Sequence, residues 1–169
     1  MLSKNNGVFT KACFIIISFS TAALIAAFAF EYIGGLKPCS LCIYQRIPHV
    51  LAIALCLLTV VFKLSPPFVV WIFIILALTS LVGAGIALFH VGVEQQFWSG
   101  TQGCGGNINA KSVEAFRLKL LQQPIVRCDE IAWSFFGVSM AGYNLILSIG
   151  LSFVPVFAIS KWRNIRAQV

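Results

Sequence analysis

Residues 12–30 read ACFIIISFSTAALIAAFAF, 19 consecutive positions without a charge. At about 1.5 Å per residue such a run crosses a hydrocarbon layer as a helix. It exceeds the usual signal-peptide core of about 7 to 15 residues, so it reads as a retained span rather than a cleaved leader. The rest of the chain agrees: 59% of its 169 residues are hydrophobic and 10% charged, with a mean hydropathy of +0.93. No soluble domain of this size has that composition. Within lipid each backbone polar group must be satisfied inside its own segment, which selects helices. The expected fold class is all-α.

Three further apolar stretches complete the pattern. The spans are expected at about 12–31, 43–62, 67–90 and 138–160, joined by outer loops at about 32–42 and 91–137, in a single integral-membrane domain over 1–169. Arg46 falls in the first turn of the second span, and the stretch 66–93 carries no charge. Lys63 and the pair Pro66, Pro67 separate the second and third spans, and Pro155 lies near the end of the fourth, where neighbouring helices must absorb a kink. Four crossings place both termini on one side. Lys4, Lys11, Lys63, Lys161, Arg163 and Arg166 lie on that side with no acidic residue, whereas Lys37, Lys111, Arg117, Lys119 and Arg127 on the other are offset by Glu94, Glu114, Asp129 and Glu130. The first side is therefore expected to be cytoplasmic. The net charge of +7 reflects topology. The basic residues are neither clustered nor interleaved with exposed aromatics, so nucleic acid is not an expected partner and the lipid bilayer is.

This orientation puts Cys39, Cys42, Cys104 and Cys128 outside, where disulfides persist. Cys56 lies 13 residues into the second span, about 20 Å deep, and Cys13 at the inner end of the first. Both read as small apolar packing residues. Four cysteines permit three pairings. A two-residue bridge joins Cys39 to Cys42, and the other two share one loop, which favours Cys39 with Cys42 and Cys104 with Cys128 at rest. Two cysteines so bridged form a redox motif when one sulfur sits at a helix start. Cys42 begins the second span, Ser40 is available as its cap, and Arg46 follows at i+4, in reach of the Cys42 sulfur. As a plain anchor Arg46 would snorkel to the interface, but its spacing to Cys42 gives a specific reason for a costly charge at membrane depth.

The long outer segment has three parts. Gly100, Gly103, Gly105 and Gly106 surround Cys104, so the backbone there is expected to be mobile and the disulfide exposed to an incoming thiolate. From Asn109 to Pro124 the chain reads as a short amphipathic helix with Ala110, Val113, Phe116 and Leu120 on one face, lying on the outer leaflet or packed on the bundle. Cys128 follows, leading to Trp133, Phe135 and Phe136 at the membrane interface. Gly83, Ala84, Gly85 and Ala87 form a small-residue face on the third helix for close packing.

The stretch Lys37-Pro-Cys-Ser-Leu-Cys-Ile-Tyr-Gln-Arg46, the four spans and a second cysteine pair before a tryptophan-led fourth helix resemble the DsbB-type disulfide bond formation proteins of bacterial inner membranes. The resemblance covers nearly the whole chain. It implies a multi-pass protein of the bacterial cell inner membrane with its redox loops facing the periplasm. It also implies a protein-disulfide oxidoreductase that reoxidises a soluble, thioredoxin-like dithiol oxidase of the DsbA type and passes electrons to a membrane quinone, ubiquinone or menaquinone. By the same resemblance a partner thiolate attacks Cys104, Cys128 then attacks Cys39, and Cys42 is freed as a thiolate facing the quinone. Arg46 would stabilise that thiolate and the charge on the reduced quinone, and His90 matches a histidine the family places near the quinone. The quinone supplies chemistry no side chain can. Glu94, four residues after His90, stands where the best-studied relatives carry an amide, and the glycines around Cys104 also depart from the pattern; His49, after Pro48 within the second span, is less persuasive as a site residue.

Three rivals are weighed against this reading. A structural zinc site of four cysteines would use two close-spaced knuckles, and Cys104 with Cys128 supply none. The vitamin K epoxide reductase type places its loop cysteines before the close pair, the reverse of the order here. A DsbB paralogue dedicated to one substrate would share every motif above.

Overall fold

A computed structural model describes residues 2–62, 64–101, 104 and 127–168. Four helices dominate it: α1 (Leu2–Tyr32), α2 (Ser40–Val61), α3 (Pro66–Glu94) and α4 (Met140–Ala167). All four are long and apolar enough to cross a membrane. A two-stranded ribbon, β1 (Ser134–Phe135) antiparallel to β2 (Val138–Ser139), precedes α4. The amphipathic helix expected from Asn109 to Pro124, and the glycines at 103, 105 and 106, lie outside the described residues.

The helices form a ring in which each packs on its chain neighbours and α4 closes onto α1, with α3 and α4 sharing the most extensive seam. Short links at 33–39 and 62–65 force α1, α2 and α3 to run alternately in opposite directions, as the apolar spacing led one to expect. Their ends differ from the expected spans. α1 begins about ten residues earlier and α4 ends seven later, because helical hydrogen bonding continues past the apolar stretch where no breaker stops it. α2 starts at Ser40, not 43, and α3 runs on to Glu94. Pro66 and Pro67 occupy the first turn of α3, where their missing N–H groups have no helical partner to lose. Pro155 lies inside α4, fully buried, and the helix passes through it.

Two buried clusters divide the interior. The larger packs Phe9, Ile16, Phe73, Leu76, Leu151 and Trp162 together. Phe9 meets Phe73 edge-on at 4.8 Å between ring centroids, an arrangement aromatic quadrupoles favour. Cys13 and Cys56 are fully buried in this cluster, as their packing role requires. The smaller cluster gathers Cys39, Leu41, Val93, Cys104 and Cys128 at the opposite end. Large apolar side chains such as Phe19, Trp71, Leu78 and Phe157 point outward, which lipid accepts without penalty.

Small residues let the helices close up. Gly83, Ala84 and Ala87 are buried, and a methyl group on Gly83 would stand 3.1 Å from Pro48 Cβ of α2. Gly85 faces open space, so it contributes nothing to this seam. At the cysteine-bearing end the chain folds back after α3. Gln96 takes a left-handed φ of 60°, the Phe97 N–H donates to the Gly92 carbonyl at 2.9 Å, and the Trp98 ring lies against Gly92. Trp98 Nε1–H donates to the Phe89 carbonyl at 2.8 Å. This fold-back carries the chain toward Cys104. A Cβ at Gly92 would sit 2.0 Å from Trp98 Cζ2, so Gly92→Ala is expected to expel the indole and cost about 1–3 kcal/mol. A lowered thermal unfolding midpoint of the solubilised protein measures this, with Gly85→Ala as the neutral control.

Candidate active site

The close cysteine pair takes its geometry from the start of α2. Cys39, not Ser40, is the N-cap: its sulfur accepts from the Cys42 N–H at 3.2 Å. A sulfur is a weak acceptor, but it meets an orphan amide of the first turn and so does the work expected of the serine hydroxyl. Ser40 Oγ is left free to reach sideways, 3.6 Å from Cys104 Sγ and 3.7 Å from Cys128 Sγ. The expected Cys39–Cys42 bond is not formed here. Both are thiols, with Cys39 donating to the Cys42 sulfur at 2.9 Å. That hydrogen bond, then burial, pushes the Cys39 thiol far above the ordinary thiol range.

Cys104 and Cys128 are joined in the disulfide expected of them, their Cα atoms 5.1 Å apart. It is not the exposed bond expected from the surrounding glycines. Cys104 is 6% exposed and Cys128 0%, because the half-cystines behave as apolar groups and pack on Leu41 and Val93. Two sulfurs thus consumed also leave no four-thiolate site in this structure. Arg127 grips Asp129 through a forked pair of bonds, Nε to Oδ1 at 2.9 Å and Nη2 to Oδ2 at 2.5 Å, on either side of Cys128. The fork holds the Asp129 carboxyl below its usual range.

His90 stands against this sulfur cluster, 3% exposed. Its Nε2 lies 3.6 Å from Cys39 Sγ and 3.8 Å from Glu94 Oε1. The other carboxylate oxygen of Glu94 accepts from Ser139 Oγ, which ties α3 to the start of α4. From His90 a chain of polar side chains runs into the bundle. His90 Nδ1 meets Gln45 Nε2 at 2.8 Å, Gln45 Oε1 accepts from Asn144 Nδ2 at 2.6 Å, Asn144 Oδ1 meets His49 Nε2 at 2.8 Å, and His49 Nδ1 meets Ser20 Oγ at 3.3 Å. All four helices contribute. The sequence reading passed over Gln45, Asn144 and Ser20 and discounted His49. The signal was present, since Gln45 and His49 stand at i and i+4 within an apolar span, where polar side chains face the bundle interior.

Arg46 does not bond the Cys42 sulfur as its spacing suggested. Its Nη1 donates to Glu31 Oε2 at 2.5 Å, and its guanidinium lies 4.8 Å from the Phe28 ring centroid. Glu31 ends α1 within reach and offers a full charge, which outcompetes a sulfur. Arg46 Nε is buried and, among the described residues, has no hydrogen-bond partner. It borders a cavity of about 520 Å³ lined by Cys39, Cys42, Gln45, His90, Asn144 and apolar residues of α1 and α4.

A tight thiol pair beside a second, bonded pair is a layout for exchange, and the comparisons agree. The family model described as "Disulfide bond formation protein DsbB" matches residues 10–158. This chain belongs to the DsbB family. A Disulfide bond formation protein B from Methylococcus capsulatus is 31% identical over 163 residues, covering 91% of this chain and 94% of the relative. One from Saccharophagus degradans is 28% identical, with 94% of each covered. A protein of Rickettsia prowazekii named only as uncharacterized is 29% identical over 140 residues, covering 81% of this chain and 80% of the relative. No solved structure matches significantly. Membership makes the protein a multi-pass membrane protein with a disulfide oxidoreductase role in disulfide bond formation.

Within this DsbB-family bundle Asn144 holds Gln45 and His49 at once, and its Oδ1 also accepts from Ser148 Oγ at 3.5 Å. Asn144→Leu strands buried groups of Gln45 and His49 and is expected to cost about 1–3 kcal/mol. Thermal unfolding of Asn144→Leu, His49→Leu and the double variant tests the coupling: the double should lose less than the sum of the singles.

Proposed function

We propose that this DsbB-family protein is a quinone-linked thiol oxidase of the bacterial inner membrane, with both termini cytoplasmic and both cysteine pairs facing the periplasm. Its thiol partner is a soluble thioredoxin-like dithiol oxidase of the DsbA type, and its role is to keep that partner oxidised for disulfide formation in secreted proteins. The observation carrying this reading is the meeting of the two cysteine pairs at one end of the bundle, with Cys42 in the wall of an apolar cavity. The skew of basic residues supports the orientation.

The residues divide the work. A partner thiolate attacks Cys104 and breaks its bond to Cys128; the partner's second thiol resolves that link, leaving the partner oxidised and both loop cysteines reduced. Cys128 next attacks Cys39 of the oxidised close pair, forming a Cys128–Cys39 bond and releasing Cys42 as thiolate. Attack by Cys104 on Cys128 then restores the loop disulfide and leaves Cys39 reduced. Thiols at 39 and 42 beside a bonded 104–128 pair, the state described above, are the product of that hand-over. Ser40, between the two pairs, is placed to donate to whichever loop sulfur carries charge. The burial of Cys104 means that the partner must displace its cover to begin.

The cavity suits a quinone ring. It is largely apolar, its size matches the range for small-molecule sites, and the unpartnered Arg46 Nε offers a hydrogen bond to a carbonyl oxygen. Cys42, Arg46 and His90 would hold it. When bound, a quinone accepts two electrons and two protons from the close pair, which returns to the disulfide. Arg46, anchored by Glu31, supplies a fixed positive field there, and the Cys39 proton points at Cys42.

Serine at Cys39, Cys42, Cys104 or Cys128 is expected to abolish partner-dependent quinone reduction, whereas Cys13→Ala and Cys56→Ala should retain most of it. Turnover surviving in Cys42→Ser sinks the proposed electron exit. Arg46→Ala should weaken quinone use roughly 10- to 150-fold, the equivalent of a charged hydrogen bond of about 1.5–3 kcal/mol. Partner oxidation once per enzyme should persist, and unchanged quinone kinetics would reduce Arg46 to an anchor.

A further inference from the structure

We propose that the reduced close pair, together with His90 and Glu94, is a binding site for a thiophilic divalent cation of the zinc type, and that occupancy arrests the protein with this pair reduced. The sulfurs of Cys39 and Cys42 and a ring nitrogen of His90 all lie within 4.8 Å of one another. Glu94 Oε1, 3.8 Å from His90 Nε2, stands beside this trio and turns onto the ion as the fourth donor. Two thiolates, an imidazole and a carboxylate form a donor set that zinc accepts in tetrahedral geometry.

The distances are close to those required. With metal–sulfur bonds of about 2.3 Å and metal–nitrogen bonds of about 2.0–2.1 Å, sulfur and nitrogen donors around a tetrahedron stand about 3.5 Å apart and two sulfurs about 3.7 Å. Cys39 Sγ and His90 Nε2 are already 3.6 Å apart. The sulfurs, at 2.9 Å, must open by less than 1 Å. That follows once the proton bridging them has left.

The supporting shell is also in place. Ligating carboxylates and imidazoles are held by outer hydrogen bonds, and here Ser139 holds the Glu94 oxygen that faces away from His90. Metal binding through Nε2 requires Nδ1 to carry the proton and donate it. Gln45 takes that proton if its amide turns over; Asn144 turns likewise, and His49 switches to the tautomer that donates to Ser20. Every link from His90 to Ser20 is then satisfied in the opposite sense with no heavy atom displaced beyond the amide exchange. All four donors line the same cavity, which gives the ion its route.

No electrons move in this step. The dithiol and the divalent ion yield a metal dithiolate and two released protons, so affinity rises with pH. Neither thiolate is then free to pass electrons on. This site differs from a four-cysteine one, since Cys104 and Cys128 take no part. It rests on the oxidase reading only in that the close pair is reduced during turnover.

The test uses full-length protein carrying Cys104→Ser and Cys128→Ser, reduced with a phosphine and titrated with zinc against a chromophoric chelator. The expected result is one zinc per chain for the reduced protein and none for the oxidised. Cobalt in its place should show the intense visible bands of a four-coordinate ion with sulfur charge transfer. Cys39→Ser and Cys42→Ser should abolish these bands, and His90→Ala and Glu94→Gln should weaken binding about 10- to 100-fold. Thermal unfolding of each variant without metal separates lost ligation from lost folding. Zinc should also halt turnover of the unmutated protein, with recovery on chelation. Absence of stoichiometric metal in the reduced form, or equal affinity in a folded His90→Ala, overturns the site. Failure of metal-free turnover would instead count against the oxidase reading and leave the titration standing.

Discussion

The hydrogen bond from the Cys42 amide to the Cys39 sulfur sets the position of everything else at the working end of the bundle. By capping α2 with a sulfur, it starts the helix at Ser40 and places Cys42, Gln45, Arg46 and His49 on its inward-facing turns. It also holds the two sulfurs one hydrogen bond apart. Had the serine hydroxyl capped the helix, Ser40 would not lie between the two cysteine pairs, and the loop disulfide would lose its polar neighbour.

A second constraint is the shortage of water inside a membrane bundle. Each buried polar group must find a partner in the protein, and the chain from His90 through Gln45, Asn144 and His49 to Ser20 meets that demand by linking all four helices. Because each link can be satisfied in either direction, the chain fixes where these side chains sit without fixing which nitrogen of His90 carries its proton. Arg46 is held differently, by a full charge from Glu31, and its buried Nε has no hydrogen-bond partner among the described residues. The apolar remainder of the bundle is ordinary close packing, with Gly83 against Pro48 and Gly92 under Trp98 admitting the closest approaches.

Much of this was legible in the chain itself. The four helices and the grouping of the cysteines into a tight and a loose pair follow from charge-free run lengths and from spacing, both local properties. The placing of Cys13 and Cys56 among packing residues follows from depth. The errors were also physical in origin. Helix ends were misplaced because hydropathy marks where lipid is tolerated and not where hydrogen bonding stops. The loop disulfide was expected to be exposed because glycines nearby say nothing of what a half-cystine packs against. Arg46 was assigned to a sulfur four residues away because its competitor, Glu31, stands on another helix.

What the sequence determined by itself was therefore the membrane-spanning helical fold and the inventory of reactive sulfur, since apolar length and cysteine spacing act within one segment. Only the tertiary structure decided which groups those sulfurs meet: His90 and Glu94 beside the close pair, Ser40 between the pairs, and the polar chain behind His90. Each is a contact between residues far apart in the chain, and such contacts depend on how the ring of helices closes, which no single segment encodes.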